Sequence, residues 1–207
     1  NSGTCNFSGG EISGNKPSDG ATSVLGGGVY VLSGSFIVDG GNITSNVYGG
    51  GNHAKVTENT NVEVSNGTVS DSVYGGGNQG EVESDTKVTI SGGTAVNVYG
   101  GGNDADVLGK TEVIIKNGTI NNVYGGGNNG KIIGNTNVSF EKGTTTTIYG
   151  GGNRGEIESN TIVSVSGGNI VDMYGGGNAA GVTGNTEVKI TGGTSTGSIF
   201  GGGNEGE

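Results

Sequence analysis

Residue types on which many enzymes and compact domains depend are scarce in this chain. Its 207 residues include one cysteine, one histidine, one proline and no tryptophan, and hydrophobic residues make up 29%. Ordinary domains are about 45–50% apolar, so a single large globular core is not expected. The lone Cys5 cannot form an internal disulfide, and so little proline argues against a collagen-like chain.

The charge balance and the lack of long apolar runs remove further classes of partner. The chain carries 19 acidic and 9 basic residues, for a net charge of −10. Nucleic acids and anionic membrane surfaces attract clustered lysine and arginine, so neither is expected as a partner. The sequence has no apolar run of about 18 residues, and it therefore predicts no membrane span.

Glycine, by contrast, fills 50 positions, and much of it lies in one repeated hexapeptide. Val-Tyr-Gly-Gly-Gly-Asn occurs at 47–52, 73–78, 98–103 and 123–128, with variants at 148–153, 173–178 and 199–204. The aromatic residues of these motifs are Tyr48, Tyr74, Tyr99, Tyr124, Tyr149, Tyr174 and Phe200. They lie 25 or 26 residues apart, a step that is typical of stacked coils. A function that needs one unique site is less expected in such an array.

Several positions counted from each aromatic residue are invariant. Offset 4 is always asparagine: Asn52, Asn78, Asn103, Asn128, Asn153, Asn178 and Asn204. Offset 12 is always threonine: Thr60, Thr86, Thr111, Thr136, Thr161 and Thr186. Offset 14 is always valine, offset 16 is apolar and offset 19 is always glycine, whereas the positions between them vary.

Alternation of fixed apolar residues with variable polar ones is the period of a β-strand. The repeat predicts an all-β, right-handed parallel β-helix with three short strands per coil, about 25 residues per coil and seven to eight coils. One strand ends at Val-Tyr, one covers offsets 6–9 (Gly80–Glu83 in one coil), and one covers offsets 13–17 (Lys87–Ser91). The Gly-Gly-Gly-Asn segment and the invariant offset-19 glycine form corners, where glycine reaches a positive φ without steric cost.

Stacking of such coils places like residues over like, about 4.8 Å apart. We expect the valines to form aliphatic columns, and the asparagine amides to bond one another along the axis. The threonines are expected to do likewise at a second corner. The aromatic column has no predicted face, because strict alternation turns the rings outward whereas a glycine corner lets them turn inward.

The two ends differ from the array. Residues 1–24 lack the motif and are predicted to be a cap or an irregular first coil. Residues 25–207 are predicted to be the repeat array, in which Leu25–Gly28 echoes the motif and the C-terminal end is uncapped.

Few residues suggest chemistry, and neither a catalytic residue nor a cofactor is predicted. His53 and Arg154 share an offset that tolerates many residue types, which indicates an exposed position. Asp104 and Asp106 are a weak candidate for calcium, since carboxylate oxygens suit that ion, but a solvated acidic corner is favoured. The chain is therefore not predicted to be an enzyme.

Ice binding requires two adjacent, outward-facing threonine columns on one strand. The invariant offset-12 column is predicted to lie alone at one corner. A second column at offset 20 (Thr68, Thr94, Thr119, Thr144 and Thr194) is assigned to another corner. The sequence thus argues against ice binding.

The repeat as a whole resembles the glycine-rich tandem repeats of large bacterial cell-surface, adhesin-like proteins, over about 180 residues. The resemblance implies an extracellular stalk or adhesin-like role, with neighbouring domains of a longer surface protein, or host or microbial surface glycans or proteins, as partners. It transfers no binding residue to this chain. A self-assembling fibre of copies stacked end to end is an alternative, as is a glycan-binding or polysaccharide-degrading β-helix, which would require clustered carboxylates at a break in the periodicity.

Overall fold

The computed structural model describes residues 3–12, 29–30 and 34–205, and in these ranges the chain is all-β with no helix. Its strands pair in parallel and stack as about 7 coils of about 25 residues. The predicted β-solenoid is therefore confirmed.

Seventeen strands are formed by the described residues, most of them as two per coil. The first coils contain β1 (Gly3–Phe7), β2 (Glu11–Ile12), β3 (Val29–Tyr30), β4 (Gly34–Ile43), β5 (Val47–Tyr48) and β6 (Thr60–Tyr74). The regular coils contain β7 (Thr86–Ile90), β8 (Thr94–Tyr99), β9 (Thr111–Ile115), β10 (Thr119–Tyr124), β11 (Thr136–Phe140), β12 (Thr144–Tyr149), β13 (Thr161–Val165) and β14 (Asn169–Tyr174). The last described coil contains β15 (Thr186–Ile190), β16 (Thr194–Ser195) and β17 (Ile199–Phe200).

The third side of each coil is shorter than the sequence suggests. In place of a four-residue strand at Gly80–Glu83, only Val82 forms a bridge, to Val56 on one side and Val107 on the other. The backbone bends at 78–80 before this residue and at 83–84 after it, which leaves room for one bridging position. Equivalent single bridges continue through Ile132, Ile157 and Val182.

Register is kept from coil to coil, so equivalent residues stack directly. Strands β8, β10, β12 and β14 align Val98, Val123, Ile148 and Met173 without a shift. Within β9, Thr111, Val113 and Ile115 are buried and alternate with half-buried residues, as the even-offset prediction requires. The apolar columns form one continuous core between the two strand-bearing sides, and a smaller cluster of Val56, Val82, Val107, Ile132 and Ile157 lines the third.

The repeated glycines serve two different physical needs. The invariant offset-19 glycines have positive φ, such as 87° at Gly67 and 91° at Gly193, which confirms the predicted corner. Among the described residues, the Gly-Gly-Gly segments of the hexapeptide motifs do not have positive φ, so that explanation is wrong for them. A Cβ added to Gly125 would lie 2.2 Å from the carbonyl oxygen of Gly150 in the next coil. Close approach of neighbouring backbones therefore excludes side chains from this segment.

The N-terminal region follows the same columns as the array. Strands β1 and β2 pair in register with β4, so residues 3–12 form part of a coil. Leu25–Gly28, read from the sequence as an echo of the motif, lies outside the described residues. Val29 and Tyr30 pair with Val47 and Tyr48, and they therefore continue the Val-Tyr columns.

Candidate functional site

The invariant asparagines form a continuous hydrogen-bonded column along the rod. Each side-chain amide donates to the carbonyl oxygen of the preceding asparagine: Asn78 to Asn52, Asn103 to Asn78, Asn128 to Asn103, Asn153 to Asn128, Asn178 to Asn153 and Asn204 to Asn178, at 2.8–2.9 Å. The backbone N–H of Asn103 also donates to the Gly77 carbonyl oxygen at 2.9 Å. This column therefore joins coil to coil through both side chain and backbone.

The invariant threonines act across each coil, and the expectation that they bond one another along the axis is wrong. The hydroxyl of Thr111 donates to the carbonyl oxygen of Gly125 at 2.5 Å, and Thr136 donates to Gly150 at the same distance. Thr60, Thr86, Thr161 and Thr186 make the equivalent contacts to Gly75, Gly100, Gly175 and Gly201. Because each threonine begins a strand and faces inward, its hydroxyl reaches the glycine corner of its own coil.

The aromatic residues form an unbroken stack from Tyr48 to Phe200. Neighbouring ring centroids are 4.6–5.1 Å apart with interplanar angles of 4–14°. The rings of Tyr48, Tyr74, Tyr99, Tyr124 and Tyr149 are buried in a cluster of their own, separate from the cluster that holds the preceding valines. The aromatic rings, whose orientation the sequence did not predict, are thus buried in a second cluster. Stacking of the rings stabilises this cluster in addition to the effect of removing their apolar area from water.

Burial also changes the acidity of this stack. Loss of hydration raises the pKa of Tyr74 and of Tyr149 to about 12. The same cause raises the pKa of Tyr99 and Tyr124. The phenols consequently stay protonated and neutral across the physiological pH range.

Charged side chains lie mainly at the surface, where they pair between coils. Lys55 contacts Glu81 at 3.0 Å and Glu83 at 2.5 Å, and Lys87 contacts Glu112 at 2.7 Å. All of these side chains remain well exposed. Exposed ion pairs of this kind contribute about 0–1 kcal/mol each to the free energy of unfolding, so these charges add little to the stability of the rod.

The residues that the sequence analysis considered for chemistry either form structural hydrogen bonds or lie exposed at the surface. Asp104 accepts hydrogen bonds from the side chains of Asn103 and Asn129, and Asp106 accepts one from the backbone N–H of Lys131. His53 and Cys5 are exposed. Among the described residues, no group of three or more histidine, cysteine, aspartate or glutamate side chains is placed to hold a metal ion.

An exposed sheet face that the sequence analysis assigned to a corner lies on β8, β10, β12 and β14. The first and third residues of these strands are exposed, whereas the second is buried. The exposed pairs, here called the threonine-rich face, are Thr94 and Val96, Thr119 and Asn121, Thr144 and Thr146, and Asn169 and Val171. Thr68 and Ser70 on β6 extend it on one side, and Thr194 and Thr196 on the other. The offset-20 threonines thus begin a strand, and a second outward column follows two residues later.

Comparison with known proteins gives no match to a family model, a curated protein or a solved structure. In the parts of the chain that the structure describes, no helix is long and apolar enough to cross a membrane.

Proposed function

We propose that this chain is a structural repeat domain, a stiff spacer within an extracellular, cell-surface protein. The observation that supports this most is the use of the invariant polar side chains. The asparagine side chains form hydrogen bonds between coils, and the threonine hydroxyls form hydrogen bonds within coils. These polar groups therefore stabilise the rod. Each additional coil lengthens such a rod by about 4.8 Å, so the number of repeats sets the reach of the protein.

Mechanical stiffness is the property that this role requires. Parallel strands on two sides of every coil, the asparagine column and the aromatic stack all run along the same axis. In stacked repeats each coil contacts its neighbours, and the stability of the array grows with their number. The same contacts that form the fold therefore support the proposed spacer function.

Two measurements test the proposal. Intact cells of the producing organism are treated with a protease that cannot enter them, and released peptides are identified. Peptides from this chain are expected together with those of known surface proteins, whereas release only after lysis would contradict the surface location. Pulling single molecules of the chain should give sequential, coil-sized unfolding steps, and a single low-force event would contradict the spacer role.

A second candidate, an end-to-end fibre, is favoured by one observation. Ile190, Ile199 and Phe200 of the last described coil are exposed, whereas their counterparts in the middle coils, such as Ile115, Val123 and Tyr124, are buried. A further coil in the same register, from a continuation of the chain or from another copy of it, would cover them. Electron micrographs and sedimentation over a range of concentrations decide this. Filaments abolished by Phe200→Asp support the fibre, and a monomer at all concentrations removes it.

A further inference from the structure

We propose that the threonine-rich face binds ice, by holding a layer of ordered water against the sheet. The face presents Thr94, Val96, Thr119, Asn121, Thr144, Thr146, Asn169 and Val171, flanked by Thr68, Ser70, Thr194 and Thr196. This inference is independent of where the protein is located and of whether it acts as a spacer.

The geometry of the face is that of a two-dimensional lattice. Thr94, Thr119, Thr144 and Asn169 are direct partners on neighbouring strands, with no register shift between β8 and β14. Strands in a sheet lie about 4.8 Å apart, and residues two positions apart on a strand are separated by about 7 Å. In the first column, hydroxyl and methyl groups repeat from strand to strand at Thr94, Thr119 and Thr144. The second column adds methyl groups at Val96 and Val171, and a hydroxyl with a methyl group at Thr146. The spacings between these groups are comparable to those between oxygen atoms in planes of ice.

The chemistry of the face suits an ordered water layer. None of its side chains is charged, whereas the outward residues of the neighbouring side include the Lys87–Glu112 ion pair. A charge would hold its own strongly oriented hydration shell and disturb a lattice. A threonine hydroxyl both donates and accepts a hydrogen bond, and its methyl group, like those of the exposed Val96 and Val171, leaves the water above it to bond with other water molecules.

Other occupants fit this face less well. Two outward residues on each of four to six strands, at about 4.8 Å by 7 Å per residue, give an area of about 270–400 Å². A stable dimer needs about 800 Å² from each partner. Protein interfaces are also enriched in aromatic residues, methionine and arginine, and the face contains none of them. The aromatic rings that would stack on a sugar are instead buried in the tyrosine column.

The experiment compares the chain with two variants of the same coil. Thr146→Lys places a long charged side chain at the centre of the face, because Thr146 is exposed on β12. Asn137→Lys makes the same kind of change at an exposed position of β11, on the other strand-bearing side. Circular dichroism and melting temperature establish that both variants are folded.

Thermal hysteresis, inhibition of ice recrystallisation and incorporation of the protein into a growing ice hemisphere are the three readouts. We expect the unmodified chain and Asn137→Lys to be active in all three, and Thr146→Lys to lose most of the activity. Exclusion of the unmodified chain from ice overturns the proposal, as does equal loss in both variants. A concentration-dependent dimer that Thr146→Lys abolishes, without ice activity, would assign the face to a second copy instead.

Discussion

The middle coils and the last described coil have equivalent residues in the same columns, but the exposure of these residues to solvent is very different. Ile115 is fully buried, whereas Ile190, at the equivalent position, is 45% exposed. Tyr124 is 6% exposed, and Phe200 in the same column is 48% exposed. A coil therefore does not bury its own core. Burial is supplied by the neighbour on each side, which is why the stability of stacked repeats is a property of pairs of coils.

Insertion of a methyl group between coils should give the largest difference in stability between a change in a middle coil and the same change in the last described coil. In Gly125→Ala the new Cβ would lie 2.2 Å from the Gly150 carbonyl oxygen, and a backbone atom cannot move aside as a side chain can. We expect a loss above the usual overpacking cost of about 1–3 kcal/mol, measured by urea denaturation. Gly201→Ala is the matched variant, because an added Cβ there meets nothing within 4 Å. Equal losses in the two variants would contradict the close approach of coils.

Truncation of the apolar column should follow in size. Ile115→Ala removes a fully buried side chain and is expected to cost about 2–5 kcal/mol in the free energy of unfolding. Ile190→Ala should cost well under half of that, since the side chain is nearly half exposed. Thermal denaturation of both variants at neutral pH gives the comparison. If Ile190→Ala is as damaging as Ile115→Ala, this face of the last coil is covered in solution.

The asparagine column offers a polar version of the same test. Asn103 donates to Asn78 and accepts from Asn128, so Asn103→Leu removes a partner from the buried Asn78 and the half-buried Asn128, at a cost of about 1–3 kcal/mol. Asn204 makes one such bond, to Asn178, and is exposed, so Asn204→Leu should cost less. An unchanged melting temperature for Asn103→Leu would show that the column does not contribute to stability.

Alkaline pH should unfold the middle coils because it deprotonates the buried tyrosines. Of the four predictions, this one has the smallest expected effect of a single substitution on the free energy of unfolding. Free tyrosine titrates near pH 10, whereas burial raises the pKa of Tyr74 and Tyr149 to about 12. The folded state holds these protons more tightly than the unfolded chain does. The contribution of these protonated tyrosines to the stability of the folded state is complete below about pH 10 and is lost as the pH rises through about 12. Tyr99→Phe should shift the alkaline midpoint upward in a circular dichroism titration, and a downward shift would contradict the sign.

Much of the fold could be predicted from the sequence because the repeat is strict. Offsets 12, 14 and 16 predicted the buried face of β7, β9, β11 and β13. The asparagine column was predictable for the same reason, since an invariant amide in every coil is stacked on itself. The length of the third side was not predictable, because a single bridge and a short strand share the same apolar residue, such as Val82.

The polar and exposed columns were harder to predict than the apolar ones. The direction of the Thr111 hydroxyl depends on the distance across the coil to Gly125, which no spacing along the chain reveals. Thr144 and the other offset-20 threonines were assigned to a corner, although the mostly apolar position that follows them, such as Ala95 and Ile120, was a signal for a strand. The residues of this face also vary between threonine, valine, serine and asparagine, so identity alone does not mark it as one surface.

The sequence by itself determined that the chain winds into coils of constant length and that like residues are stacked, because a fixed period of apolar residues admits one register. Only the tertiary structure decided what each column does: that the tyrosines are buried, that the threonines bond across the coil and that an uncharged sheet face is left to solvent. The physical reason is that period and pattern are properties of one coil, whereas burial and hydrogen-bond direction arise between coils or across the width of one.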